Sequence, residues 1–143
     1  MPDLHFQAAF PGRFASLRSI STFVREAAQK TGFDDRAMYA VETAVDEACS
    51  NIIEHAYGAE DLGEIECECY VKPDRLIIVL RDHGKAFDAS KVALPNLETS
   101  IEDRQDHGLG IFFMRQMMDE VVFDFQEGVG NILTMVKIKE KSD

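Results

Sequence analysis

The stretch DEACSNIIEHAYG, Asp46 to Gly58, decides how this chain is read. Ala48, Cys49, Ile52, Ile53 and Ala56 have the spacing of a helix that packs into a core. The same stretch keeps Glu47, Asn51 and His55 at successive four-residue steps. At ~100° per residue these three lie along one edge of the apolar stripe. Such a flank is walled by protein on one side and can open to a cleft on the other. Asn51 offers a carbonyl oxygen to a hard cation such as Mg²⁺. Glu47, one turn earlier, is placed to take a proton from an attacking hydroxyl or water. A solvated helix edge with a tertiary hydrogen bond would use the same residues. His55 falls well inside the stripe and reads as a satisfied core histidine.

Working outward, Ala37, Ala40, Val41, Ala44 and Val45 carry the same period back to a cap at Asp34 or Asp35, and Gly58 is the stop. Phe14, Leu17, Ile20, Val24, Ala27 and Ala28 space a preceding helix that Gly32 closes. Leu4 to Phe10 forms a first strand. After the central helix, GEIECECYV alternates strictly, with Ile65, Cys67, Cys69 and Val71 on one face and Glu64, Glu66 and Glu68 on the other. That is a strand with one wet face. Leu76 to Leu80 is a continuous apolar run, a central strand ended by Asp82-His83-Gly84. Ala89 to His107 lacks a period and reads as a long loop. Gly108-Leu109-Gly110 opens an apolar helix. Val121 to Gln126 and Ile132 to Lys139 form a hairpin around Gly128-Val129-Gly130-Asn131. The order β-α-α-β-β-loop-α-β-β predicts an α+β two-layer sandwich, helices on one face of the sheet. Without repeats or a linker, residues 1–143 are expected to be one domain.

The net charge of −11, from 15 basic and 26 acidic residues, disfavours nonspecific binding to nucleic acid or an anionic membrane. It leaves room for an anionic small ligand held by backbone amides and a metal ion. No apolar run approaches the ~20 residues of a membrane span. MPDLHFQAAF lacks the marks of a signal peptide, so the expected location is cytoplasmic. Cys49, Cys67 and Cys69 include no CxxC pair, which argues for buried reduced thiols over disulfides or zinc.

Two further motifs carry chemistry. In RDHGKAFD, Asp82 ends an apolar strand, where a partly buried carboxylate can accept from an exocyclic amine. Gly84 would let a flat ligand approach the backbone. In HGLGIFFM, Gly108 and Gly110 at a helix start offer backbone N–H groups to an anion. It is neither a dinucleotide fingerprint nor a P-loop, since GxGxxG after a strand and GKS or GKT are both missing.

Taken in order, these motifs resemble the GHKL ATPase superfamily with its Bergerat nucleotide-binding fold. VDEACSNIIEHAYG is similar to its N box, DHGKAFD to its first glycine box and HGLGIFFMRQMMDEV to its second. Within it, the chain looks most like the anti-sigma factor serine kinases of the RsbW and SpoIIAB type. The resemblance implies a mixed, mainly antiparallel sheet, ATP and Mg²⁺ as ligands, and Asn51 on the metal. It implies Glu47 as general base toward a serine hydroxyl, Asp82 on the adenine amine with Gly84 beside the base, and Gly108, Leu109 and Gly110 at the phosphates. Ala89 to His107 would be the ATP lid, with Lys91 and Arg104 as phosphate contacts. Asp106 departs from the pattern, since it would repel phosphate. The implied partners are a STAS-domain anti-sigma antagonist and a sigma factor, with a homodimer possible. A nucleotide-gated binding module without kinase turnover is the alternative.

Overall fold

The computed structural model describes residues 3–86 and 106–140. Strand β1 (Leu4–Pro11) leads through a short 3₁₀ turn into helices α1 (Leu17–Thr31) and α2 (Asp35–Asn51). A π-helical turn, Ile52–Tyr57, extends α2. Strands β2 (Glu64–Val71) and β3 (Arg75–Asp82) follow, then α3 (Asp106–Met117) and the hairpin β4 (Glu120–Gln126) and β5 (Gly130–Ile138). The sheet order is β1-β2-β3-β5-β4. Every pairing among the described residues is antiparallel, which narrows the expected mixed sheet. Among these residues no helix is long and apolar enough to cross a membrane.

The helix ends follow from local chemistry. Gly32 closes α1 at φ 88°, the left-handed conformation that glycine reaches without a Cβ clash. The Asp34 side chain caps α2 by accepting from Ala37 N at 2.8 Å. Ile20 and Val24 of α1, Val41, Val45 and Cys49 of α2, and Ile65, Cys67, Ile78 and Met135 of the sheet are all fully buried. This is the layer interface that the two periodicities demand. The three cysteines are free thiols within it. Burial pushes the Cys49 thiol well above its ordinary range, and a hydrogen bond with Cys69 does the same for Cys67.

Two expectations change. The far face of the sheet is not uniformly wet. Glu64 is exposed, but Glu68 is buried, with its carboxylate receiving Tyr70 Oη at 2.7 Å, Arg81, and a His5 Nε2 contact at 2.8 Å. Val79 and Val136 are buried on that same face, because β3 and β5 are central strands and carry apolar residues on both sides. Gly130 and Asn131 belong to β5 and not to the hairpin turn.

Candidate functional site

A small cleft lies between the helices and the sheet. Ala48, Asn51, Ile52 and Ala56 line it from α2 and its extension, and Met114 from α3. Asp82, Asn131, Leu133 and Phe123 line it from the strands. Sequence-distant motifs meet here because α2 packs against α3 and its π-helical extension meets the loop after β3.

On the strand side stands Asp82, 2% exposed. Its Oδ1 accepts from Gly84 N at 2.9 Å and from Asn131 Nδ2 at 2.9 Å. Asn131 Nδ2 also donates to Lys85 O at 2.8 Å. Both bonds to Asp82 fall on Oδ1, which leaves Oδ2 for a further donor. Burial raises the Asp82 carboxyl above its ordinary range, while Asn131, Gly84 N and His83 pull it back. A buried carboxylate held this way is a rigid acceptor.

Beside Asn51, α3 approaches α2. A Cβ on Gly110 would lie 2.7 Å from Glu47 Oε2 and 3.6 Å from Asn51 Nδ2. The glycine is therefore needed for close contact, and it brings the Glu47 carboxylate and the Asn51 amide to one point. Asn51 Nδ2 is buried without a hydrogen-bond partner among the described residues. Buried amides are nearly always satisfied, so an orphan at a cleft marks a place for a ligand. The amide N and O are interchangeable by a flip, so the same position can present Oδ1 to a cation. An amide oxygen beside a carboxylate suits Mg²⁺, which keeps waters and takes phosphate oxygens for the rest of its shell. Among the described residues no group of three or more His, Cys, Asp or Glu side chains could hold a metal unaided.

The sequence profile described as a histidine kinase-like ATPase domain matches residues 10–137. The chain belongs to this ATPase family. It is 34% identical over 111 residues to the serine-protein kinase RsbW of Bacillus cereus strain AH187, covering 75% of this chain and 69% of that protein. It is 33% identical over 120 residues to RsbW of Bacillus licheniformis, covering 81% and 75%. Within the ATPase family these alignments group it with the RsbW serine-protein kinases. The fold also matches the crystal structure of the RsbU and RsbW domains of Rv1364c from Mycobacterium tuberculosis, with a TM-score of 0.62 at 15% identity. That match covers all of this chain but only 35% of the other, and shows the fold alone.

In this ATPase domain, Asn51 and Asp82 line one cleft, and Glu47 and Gly110 stand beside Asn51. Gly108, Leu109 and Gly110 all belong to α3. Gly84 also differs from expectation. A Cβ there would lie 2.4 Å from the backbone of Ala56, so the close approach it permits is to the helix. His55 is half-buried, 3.8 Å from the Glu54 carboxylate, and is not a core residue. Lys91 and Arg104 lie outside the described residues.

Asn131 and Tyr57 were missed. Asn131 hid in a Gly-Val-Gly-Asn stretch that reads as a turn. Strand parity from Leu133 and Met135 would have pointed its side chain inward. Tyr57 looked like a helix end. Its hydroxyl donates to Glu64 O at 2.6 Å and accepts from His83 N at 3.0 Å.

Proposed function

We propose that this chain is an ATP-dependent serine-protein kinase that acts on a STAS-domain anti-sigma antagonist and doubles as an anti-sigma factor. The observation that carries the reading is the meeting of Glu47, Asn51 and Gly110 beside a cleft that Asn51 and the buried Asp82 both line. The two partners come from the likeness to RsbW. A homodimer in the cytoplasm belongs to the same proposal and rests on the family resemblance alone.

Asp82 Oδ2 accepts the adenine amine, and the apolar side chains of Ile52, Met114 and Phe123 wall the base. Asn51 would hold Mg²⁺, with the backbone of Gly108, Leu109 and Gly110 near the phosphates. Such a metal would supply charge neutralisation for the phosphates. Glu47 takes the proton of the substrate serine as its Oγ bonds to phosphorus and the bond to the ADP oxygen breaks. The domain mainly positions groups and stabilises charge, which is most of what phosphoryl transfer needs.

The test is incubation of the chain with Mg-ATP and a STAS-domain protein of the same organism, read by mass spectrometry of the STAS protein. One added phosphate on a serine is the expected result. Tight ATP binding with no phosphate on the STAS protein would instead make the chain a nucleotide-gated binding module.

A further inference from the structure

The π-helical turn after Asn51 ends at Gly58, φ 87°. Turns of this kind are rare and are found mostly at functional sites. Here the turn is bound to the loop that leaves β3. Ala56 O accepts from Lys85 N at 2.9 Å, and the Ala56 backbone fills the space beside Gly84. Tyr57 adds a third tie through its hydroxyl, which accepts from His83 N at 3.0 Å. That same hydroxyl is fixed from below by donating to Glu64 O at 2.6 Å.

The ring of Tyr57 is seated on backbone. A Cβ on Gly63 would lie 2.5 Å from the ring, and one on Gly12 would lie 3.4 Å from it. Gly12 N in turn donates to Gly63 O at 2.8 Å. The hydroxyl therefore cannot swing away without breaking a packed seat. It reaches the one backbone N–H between Asp82 and Gly84. We infer that Tyr57 is a positioning residue for the nucleotide site: its hydroxyl locks the loop at His83 and so holds the Asp82 carboxylate in register with the base.

The inference rests on the reading of Asp82 as the base acceptor. A purely structural Tyr57 would need its ring on Gly63 and Gly12 but not its hydroxyl at His83. Tyr57→Phe keeps the ring and deletes the hydroxyl, so it separates the two roles. Native-state hydrogen exchange on the ligand-free protein is the first measurement, and ATP kinetics with a STAS substrate the second.

The His83 amide should exchange roughly 3–10-fold faster in the variant, the worth of one modest hydrogen bond. Amides of Ile78 and Leu80 in the core should keep their protection, which shows that the fold is intact. KM for ATP should rise by a similar roughly 3–10-fold while kcat stays within about twofold, since the loop binds but does not react. Unchanged exchange at His83, or accelerated exchange with unchanged KM, overturns the inference. Wild-type protein that binds no ATP overturns the proposed function instead, and the exchange result then still decides whether the hydroxyl locks the loop.

Discussion

Asp82 is tied on Oδ1 by Gly84 N and Asn131 Nδ2, whereas Asn51, on the helical wall of the cleft, keeps a buried amide nitrogen with no partner among the described residues. The first group is finished before any ligand arrives. The second is completed only by what binds. A base has one fixed hydrogen-bond pattern, so a rigid acceptor lowers the ordering cost of recognising it. Metal and phosphate bring their own charge and water, so their ligands must wait for them. In the proposed function, Asp82 therefore answers for selectivity, and Glu47, Asn51 and Gly110 for turnover.

Glu47→Gln is the strongest way to break that division. The amide is nearly isosteric, so the helix survives, but it takes no proton. Transfer to serine should slow by ~10²–10⁴-fold, the usual worth of a general base. ATP affinity measured by calorimetry on the same variant should stay close to wild type. Normal turnover would remove Glu47 from the chemistry.

Gly110→Ala sharpens the contrast without touching a functional group. The new methyl falls 2.7 Å from Glu47 Oε2, the far end of a flexible side chain, which swings aside. A displaced base costs up to ~10²-fold in turnover. Alanine also favours helix by roughly 0.5–1 kcal/mol over glycine. Thermal melts should show stability held or raised while the transfer rate falls. Equal losses in both would mean a packing defect.

Asn51→Ala should weaken Mg-ATP by roughly 10–100-fold, the range for a lost interaction with a charged group. Circular dichroism should remain native, because the amide makes no bond in the described structure. Its removal relieves an orphan donor. Unchanged Mg-ATP binding would take Asn51 out of the site.

Asp82→Asn has the smallest effect on binding and the most telling one on stability. An amide both accepts and donates, so ATP should weaken by about tenfold and the preference over GTP should blur. Burial holds the folded carboxyl above its ordinary range, so ionised Asp82 costs stability at neutral pH. That cost is lost as pH falls through the raised folded value. The variant should match or exceed wild type in urea melts at pH 7, with the gap closing on acidification. A wild type that gains nothing relative to the variant in acid would contradict the sign.

Much of this was legible in the sequence, and the reasons are particular. The run from Ala37 to Ala56 has one period and one face, so α2 could not be mistaken. The strict alternation of GEIECECYV gave β2 its buried face. Alternation did not show that Arg81, on the neighbouring strand, would close over Glu68. The π-helical turn was invisible because Ile52, Ile53 and Ala56 suit a wide turn as well as a regular one. The pressure on Gly84 from Ala56 needed the tertiary meeting of a helix with a loop 28 residues on. Glu47, Asn51 and Asp82 can be singled out as candidates because polar residues on the edge of an apolar element stand out. Asn131 was not, because glycines around it imitate a turn.

The fully buried cysteines supply something useful at the bench. Cys49, Cys67 and Cys69 show no exposed surface, and the surroundings of Cys49 and Cys67 suppress the reactive thiolate. A thiol reagent added to the folded protein meets none of them until the helical layer lifts from the sheet. Its colour change is therefore a clock for opening, built into the native sequence. The three sulfurs span α2 and β2, so a single shared rate marks the separation of those layers as one cooperative event.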